Sequence, residues 1–209
     1  VLPPGTEKSA TPPTRGAVDP AEADLLAKAQ GGNLFAFEEI VKRYQRRVYG
    51  TALRILRRHD LADDVVQDTF LKAYQALERF DRQRPFGPWI CRIAANLAVN
   101  HVRSPESREQ ELPDGLSDMP AADPGPLGGV LEAEGREVLD RAMDRLSPEQ
   151  RAVFVLRVFE ELSYQEIADA LAISPGTVMS RLSRARERLR DALTPYLGVA
   201  LRRAGGDPA

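Results

Sequence analysis

The chain has 209 residues, 16 of them proline, one cysteine (Cys91), two histidines (His59 and His101) and a formal net charge of −2. A lone cysteine cannot close an intrachain disulfide, and one Cys with two distant His is a poor zinc set, so neither a disulfide scaffold nor a metal site is expected. No run of 18 apolar residues and no signal-peptide pattern occurs, which predicts a cytoplasmic protein with no direct membrane insertion.

The charge is unevenly spread. Residues 21–104 carry 14 basic and 10 acidic side chains, residues 105–138 carry 2 and 9, and Ser174 to Arg190 holds five arginines against one glutamate. An acidic connector between a mildly basic block and a strongly basic helix fits a nucleic-acid-binding chain better than the net charge suggests.

In chain order, residues 1–20, rich in Pro, Thr and Gly, read as a disordered tail. A short helix over Ala21–Gln30 is broken by Gly31-Gly32. Asn33 caps a second helix whose Leu34, Phe37, Ile40, Val41, Tyr44 and Val48 recur at helical spacing, running to about Arg58 with a bend near Gly50. Asp60 is the expected N-cap of a third helix, with Leu61, Val65, Thr69, Phe70, Ala73, Tyr74 and Leu77 as its stripe. His59 is placed at a helix C-terminus, where the dipole favours it. After a polar break at Arg79–Arg84, a fourth helix opens near Pro85–Pro88 and ends before Pro105. The stretch 105–129 lacks periodicity, and 105–134 reads as a linker. The second block, 135–197, has three starts with one signature: Ser147-Pro148-Glu149-Gln150, Ser163-Tyr164-Gln165-Glu166 and Ser174-Pro175. Residues 198–209 read as a short flexible tail.

The fold class expected is all-α: two small helical domains joined by a flexible acidic linker, the second a helix-turn-helix. The helix from Ser163 braces and the helix from Ser174 enters the major groove. Its N-terminal residues Ser174, Gly176, Thr177, Met179, Ser180 and Arg181 face base edges, and Arg184, Arg188 and Gln165 reach bases or phosphate. Small residues at 176 and 180 let the helix approach closely. This motif alone fits an ordinary transcriptional regulator equally well.

The two blocks together resemble the extracytoplasmic-function sigma factors of the sigma-70 family. The run Asp64-Val-Val-Gln-Asp-Thr-Phe-Leu-Lys-Ala-Tyr74 is similar to the family's polymerase-clamp helix. Phe80-Asp81 followed by Pro85 to Ala98 is similar to its −10 recognition and melting segment. Leu146–Arg151, Leu162–Ala168 and Gly176–Arg186 resemble its −35-binding domain. The resemblance implies sigma region 2 at 21–104 and region 4 at 135–197. It implies partners in core RNA polymerase (the β′ clamp and β flap) and promoter DNA, and an anti-sigma factor, membrane-anchored in many members.

It further implies that Asp64, Gln67, Asp68, Lys72 and Tyr74 contact polymerase, Tyr74 standing where many members carry Trp. Arg79, Phe80, Arg82, Arg84, Trp89, Arg92, Asn96, Asn100 and Arg103 then serve −10 capture and melting. A flipped base costs a few kcal/mol, which basic and aromatic side chains offset. Phe80, Phe86 and Trp89 are stacking candidates, though residues of this kind more often belong to a core, and Trp89 better fits a structural or junction-wedging role. No Walker motif, HExxH or nucleophile elbow is present, so no catalytic residue, enzyme activity or cofactor is expected. Cys91 reads as a buried small hydrophobe. The competing reading is a helix-turn-helix regulator that never acts as a sigma subunit.

Overall fold

The computed structural model describes residues 19–104 and 129–204, and every regular element among them is helical. The first half contains α1 (Pro20–Gln30), α2 (Leu34–Leu56), α3 (His59–Ala76), a 3₁₀ turn (Leu77–Arg79) and α4 (Phe86–Arg103). The second contains α5 (Gly129–Asp144), α6 (Pro148–Val158), α7 (Tyr164–Leu171) and α8 (Pro175–Ala204).

Local chemistry explains most boundaries. The Asp19 carboxylate caps α1 by accepting from the Ala21 amide. Gly32, at φ 86°, turns the chain into a left-handed conformation that glycine adopts without strain. Asn33 Oδ1 then accepts from the Ala36 amide at 3.1 Å and opens α2. No interruption occurs at Gly50: α2 runs unbroken to Leu56. It ends at Arg57 in the left-handed region.

Two expectations near this corner are corrected. The N-cap position of α3 is Arg58, whose side chain makes no capping bond, not Asp60, and Asp60 lies in the first turn, paired with the Arg58 guanidinium. His59 is the first residue of α3, at the positive end of a helix, with its ring 2.5 Å from the Tyr49 hydroxyl. The reason is the short connection: Arg57 closes α2, leaving only Arg58 before α3 begins.

The tail at 1–18 and residues 105–128 lie outside the described residues. α5 already begins at Gly129, inside the stretch read as linker, and α8 continues through Pro195 to Ala204, beyond the expected end at 197. The two serine capping boxes form as read: Ser147 with Gln150 and Ser163 with Glu166 exchange both bonds. Ser174 Oγ accepts from the Thr177 amide at 3.1 Å at the head of α8.

In the first half α2 is central, packed against α1, α3 and α4; in the second α8 packs against α5, α6 and α7. The halves are also docked, with α2 and α4 against α6 and α7. Sequence periodicity anticipates two tethered modules, whereas the buried side chains form one continuous apolar cluster. α4 shows why. Its buried set includes Ile90, Cys91, Ala94, Ala95, Leu97, Ala98 and Val99, which spans most of its circumference, as in a helix covered on both sides.

Candidate nucleic-acid interface

The helix-turn-helix is built by burying Ile167, Ala168 and Leu171 of α7 together with Val178, Leu182 and Ala185 of α8. The turn passes through Ala172 in the left-handed region (φ 51°), whose amide bonds back to the Ala168 carbonyl. This core leaves the N-terminal face of α8 outward. Ser174, Gly176, Met179, Ser180, Arg184 and Arg188 are exposed, and Thr177 and Arg181 are half-buried. Thr177 Oγ1 lies 2.9 Å from Ser174 Oγ, and Ser180 Oγ donates to the Thr177 carbonyl at 3.1 Å, so these three residues form an ordered polar surface. A Cβ on Gly176 would meet nothing nearer than Ser174 Oγ at 3.8 Å. Internal packing therefore does not require the glycine.

Not every predicted residue stands free. Arg188 donates to Gln150 Oε1 at 3.0 Å and so is tied to the start of α6, while Gln165 Nε2 donates to Asp169 on its own helix. Arg181 keeps Nη1 buried without a hydrogen-bond partner.

A second basic surface lies at the other half. Arg79, Arg82 and Arg84 are exposed around a turn held by the Arg84 amide on the Asp81 carbonyl (3.0 Å). Gln30 Nε2 donates to the Leu77 and Phe80 carbonyls at 2.9 and 2.8 Å and fixes this loop to α1. Sequence reasoning missed Gln30, since the bond spans about 50 positions and leaves no local pattern. Phe80 and Phe86 are buried, their rings edge-on at 5.3 Å, with Tyr44 closing the cluster. Phe80 therefore does not offer a stacking face in this conformation, because its ring is spent on the core. Trp89 is half-buried against both phenylalanines at 4.7 and 5.2 Å.

Along α4, Asn100 and Arg103 are exposed, Asn96 is half-buried and accepts from Asn100 Nδ2 at 2.8 Å, and Arg92 is paired with Glu166 of α7. Arg92 Nε is buried without a partner. The stripe read as one open face is thus partly covered by the second half.

α3 presents Asp64, Gln67, Asp68, Lys72 and Tyr74 outward together, with the Tyr74 ring edge-on to Phe37 at 4.9 Å. Leu71 is exposed beside them, an apolar addition the charge pattern did not single out.

Electrostatics bind the two halves. Partial burial would raise the Glu166 carboxyl, but bonds from Ser163 and the Arg92 guanidinium outweigh it and hold it below the usual carboxylate range. Glu149 behaves alike: burial opposes ionisation, while its own amide, Ser147 and the Arg181 and Arg103 charges lower its pKa. Burial, with Arg57 close by, pulls the Arg151 guanidinium down to about 10. Burial pushes the Cys91 thiol up to about 12, which makes it a poor nucleophile at neutral pH. Among the described residues no group of three or more His, Cys, Asp or Glu is placed to hold a metal, and no helix is long and apolar enough to cross a membrane.

Comparison with known proteins agrees with this layout. The family described as "Sigma-70 region 2" matches residues 40–109, and "Sigma-70, region 4" matches 136–189. The chain is 34% identical to the RNA polymerase sigma-H factor of Pseudomonas aeruginosa over 192 residues, 86% of this chain and 97% of that protein. It is 32% identical to the ECF RNA polymerase sigma-E factor of Haemophilus influenzae, covering 83% and 95%. Among solved structures, the sigma factor RpoE in complex with the anti-sigma factor NepR from Bartonella quintana matches with a TM-score of 0.59 at 25% identity, covering 76% of this chain and 96% of that one. A helix-turn-helix regulator that lacks sigma activity would not account for region 2 preceding region 4 across nearly the whole length of these relatives. The chain belongs to the extracytoplasmic-function sigma factors of the sigma-70 family, which bind core RNA polymerase and direct it to promoters.

Proposed function

We propose that this sigma factor divides promoter recognition between two faces. Region 2, taken as 21–104, contacts the β′ clamp through Asp64, Gln67, Asp68, Lys72 and Tyr74, with Leu71 adding apolar area. The same region captures the −10 element through Arg79, Arg82, Arg84, Trp89, Asn96, Asn100 and Arg103. Phe80 supports this surface from beneath. Region 4, taken as 135–197, engages the β flap and reads the −35 element through Ser174, Gly176, Thr177, Met179, Ser180, Arg181 and Arg184. Phosphate contacts supply much of the affinity, and each base-reading side chain contributes about 1–3 kcal/mol of discrimination.

The observation that carries this reading is the exposed N-terminal face of α8, small and polar at 174, 176 and 180 and basic at 184. Met179, 52% exposed, offers an apolar contact suited to a thymine methyl. The protein supplies binding and strand-opening energy, while the polymerase performs the chemistry. It acts in the cytoplasm with the polymerase, and an anti-sigma factor is its natural antagonist. Transcription in vitro with purified core enzyme across a genomic promoter library tests the whole scheme. Initiation at sites sharing −35 and −10 elements supports it, and failure to start at any defined site refutes it.

A further inference from the structure

The head of α2 departs from local helix chemistry. Its first turn holds Leu34 and Phe35 and no acidic residue, although the positive end of a helix favours carboxylates. Packing does not account for the pair either. Phe35 is 81% exposed and Leu34 64%, the two most exposed large apolar side chains among the described residues. Single exposed apolar residues are ordinary, but adjacent ones that continue into further apolar surface mark a place where something binds.

The surface does continue. α2 and α3 are joined through Arg57 and Arg58 alone, so the chain doubles back and the head of α2 stands beside the tail of α3. The Phe37 ring meets Tyr74 edge-on at 4.9 Å there, while Tyr49 meets His59 at the other end of the pair. Leu34 precedes Phe37 by three residues and so shares its side of the helix. On α3, Asp64, Gln67, Leu71 and Tyr74 follow one another at steps of three and four, and all are exposed. The open track therefore runs from Asp64 through Leu71 and Tyr74 to Leu34 and Phe35. It covers about 15 Å from Asp64 to Tyr74 at about 1.5 Å per residue, and one turn past Phe37 adds roughly 5 Å.

The two ends of this track differ in chemistry. Asp64 and Asp68 make one end acidic. The other is apolar, and Glu38 and Glu39, one turn on from Phe35, are paired with Lys42 at 2.8 and 2.9 Å, which partly neutralises them. Continuity with the α3 face names the occupant. We infer that Leu34 and Phe35 are the apolar anchor of the contact with core RNA polymerase, Phe35 entering an apolar cleft on the clamp while cationic groups of the same surface face Asp64 and Asp68. The inference rests on the reading of α3 as the clamp-binding face. It divides the labour kinetically: the exposed acids steer encounter and set its salt dependence, and the buried aromatic sets the residence time.

The test uses the full chain and its Phe35→Ala, Phe35→Leu and Asp64→Asn variants, with association to and dissociation from immobilised core enzyme followed at several salt concentrations. All three sites are exposed, so the melting curves are expected to stay close to wild type. Phe35→Ala is expected to associate within about twofold of the wild-type rate, with the same salt dependence, and to dissociate about thirtyfold faster, the loss of one interface hot spot. Phe35→Leu keeps apolar bulk and is expected to recover part of the residence time. Asp64→Asn is expected to associate more slowly and to lose part of the salt dependence.

Dissociation of Phe35→Ala at the wild-type rate overturns the anchor, and so does a defect confined to association. The two readings fail separately. If the wild-type chain does not bind core enzyme, or Asp64→Asn binds as wild type does, the clamp-face reading fails and the anchor with it. If Asp64→Asn is impaired while Phe35→Ala is not, only the anchor fails. Sedimentation of the free chain covers the remaining occupant. A wild-type dimer that Phe35→Ala separates, with core dissociation unmoved, assigns the patch to a second copy and overturns the inference.

Discussion

Replacing Gly176 with alanine separates stability from recognition. Gly176 is the second residue of α8, and a Cβ built there finds its nearest neighbour, Ser174 Oγ, at 3.8 Å, ordinary van der Waals contact. The substitution therefore introduces no internal clash. Alanine in a helix is favoured over glycine by roughly 0.5–1 kcal/mol, and a first-turn position belongs at the low end, about 0.5 kcal/mol. For a body of this size that is a rise in Tm of roughly 1–2 °C. The new methyl, however, stands on the exposed face read as meeting the −35 bases. Losing close approach there removes about one base contact, about 1–3 kcal/mol, which is roughly a 5- to 150-fold loss of affinity. Thermal melting of the free protein and anisotropy of holoenzyme on labelled promoter DNA measure both effects. A more stable variant with unchanged promoter affinity would refute the placement of Gly176 at the DNA.

Leu182→Ala removes a side chain only 1% exposed at the centre of the helix-turn-helix, so melting should show a loss of about 2–5 kcal/mol together with loss of −35 binding. Ala172→Gly should stabilise by about 0.5–1 kcal/mol in a chemical denaturation series, because it relieves a left-handed alanine at modest entropic cost. Asp64→Arg on the exposed face of α3 should abolish co-purification with core enzyme while leaving the melting curve within about 0.5 kcal/mol of wild type. Acid stability follows from Glu166 and Glu149, whose folded pKa values are depressed. Their stabilisation is complete above the unfolded carboxylate value of about 4.3 and is lost as pH falls through the folded values. Glu166→Gln should flatten the acid limb of stability against pH below that value, and an unchanged limb in this variant would contradict the assignment.

What sequence alone determined is the set of features governed by near neighbours. Capping boxes at Ser147 and Ser163, the Asn33 cap, the Ser174 start and the burial of Phe70 and Cys91 all follow from residues within a turn or two, or from a single apolar stripe. The exposed residues of α8 follow too, since a helix that buries Val178, Leu182 and Ala185 must turn its opposite face outward. The α2–α3 corner differs from its sequence pattern because a left-handed arginine at 57 carries no local signal, so the N-cap position falls on Arg58, which makes no side-chain cap, rather than on the more typical Asp60. Only the tertiary structure decided that Phe80 is core, that Gln30 anchors the loop before α4, and that Arg92 meets Glu166 rather than solvent. The last two join residues 50 and 74 positions apart. Hydrophobic periodicity says that a face is covered, but a charged residue on the covering helix looks the same in sequence whether it faces water or a partner. The docking of the two halves through Arg47, Arg54, Arg57 and Arg92 was illegible for that reason.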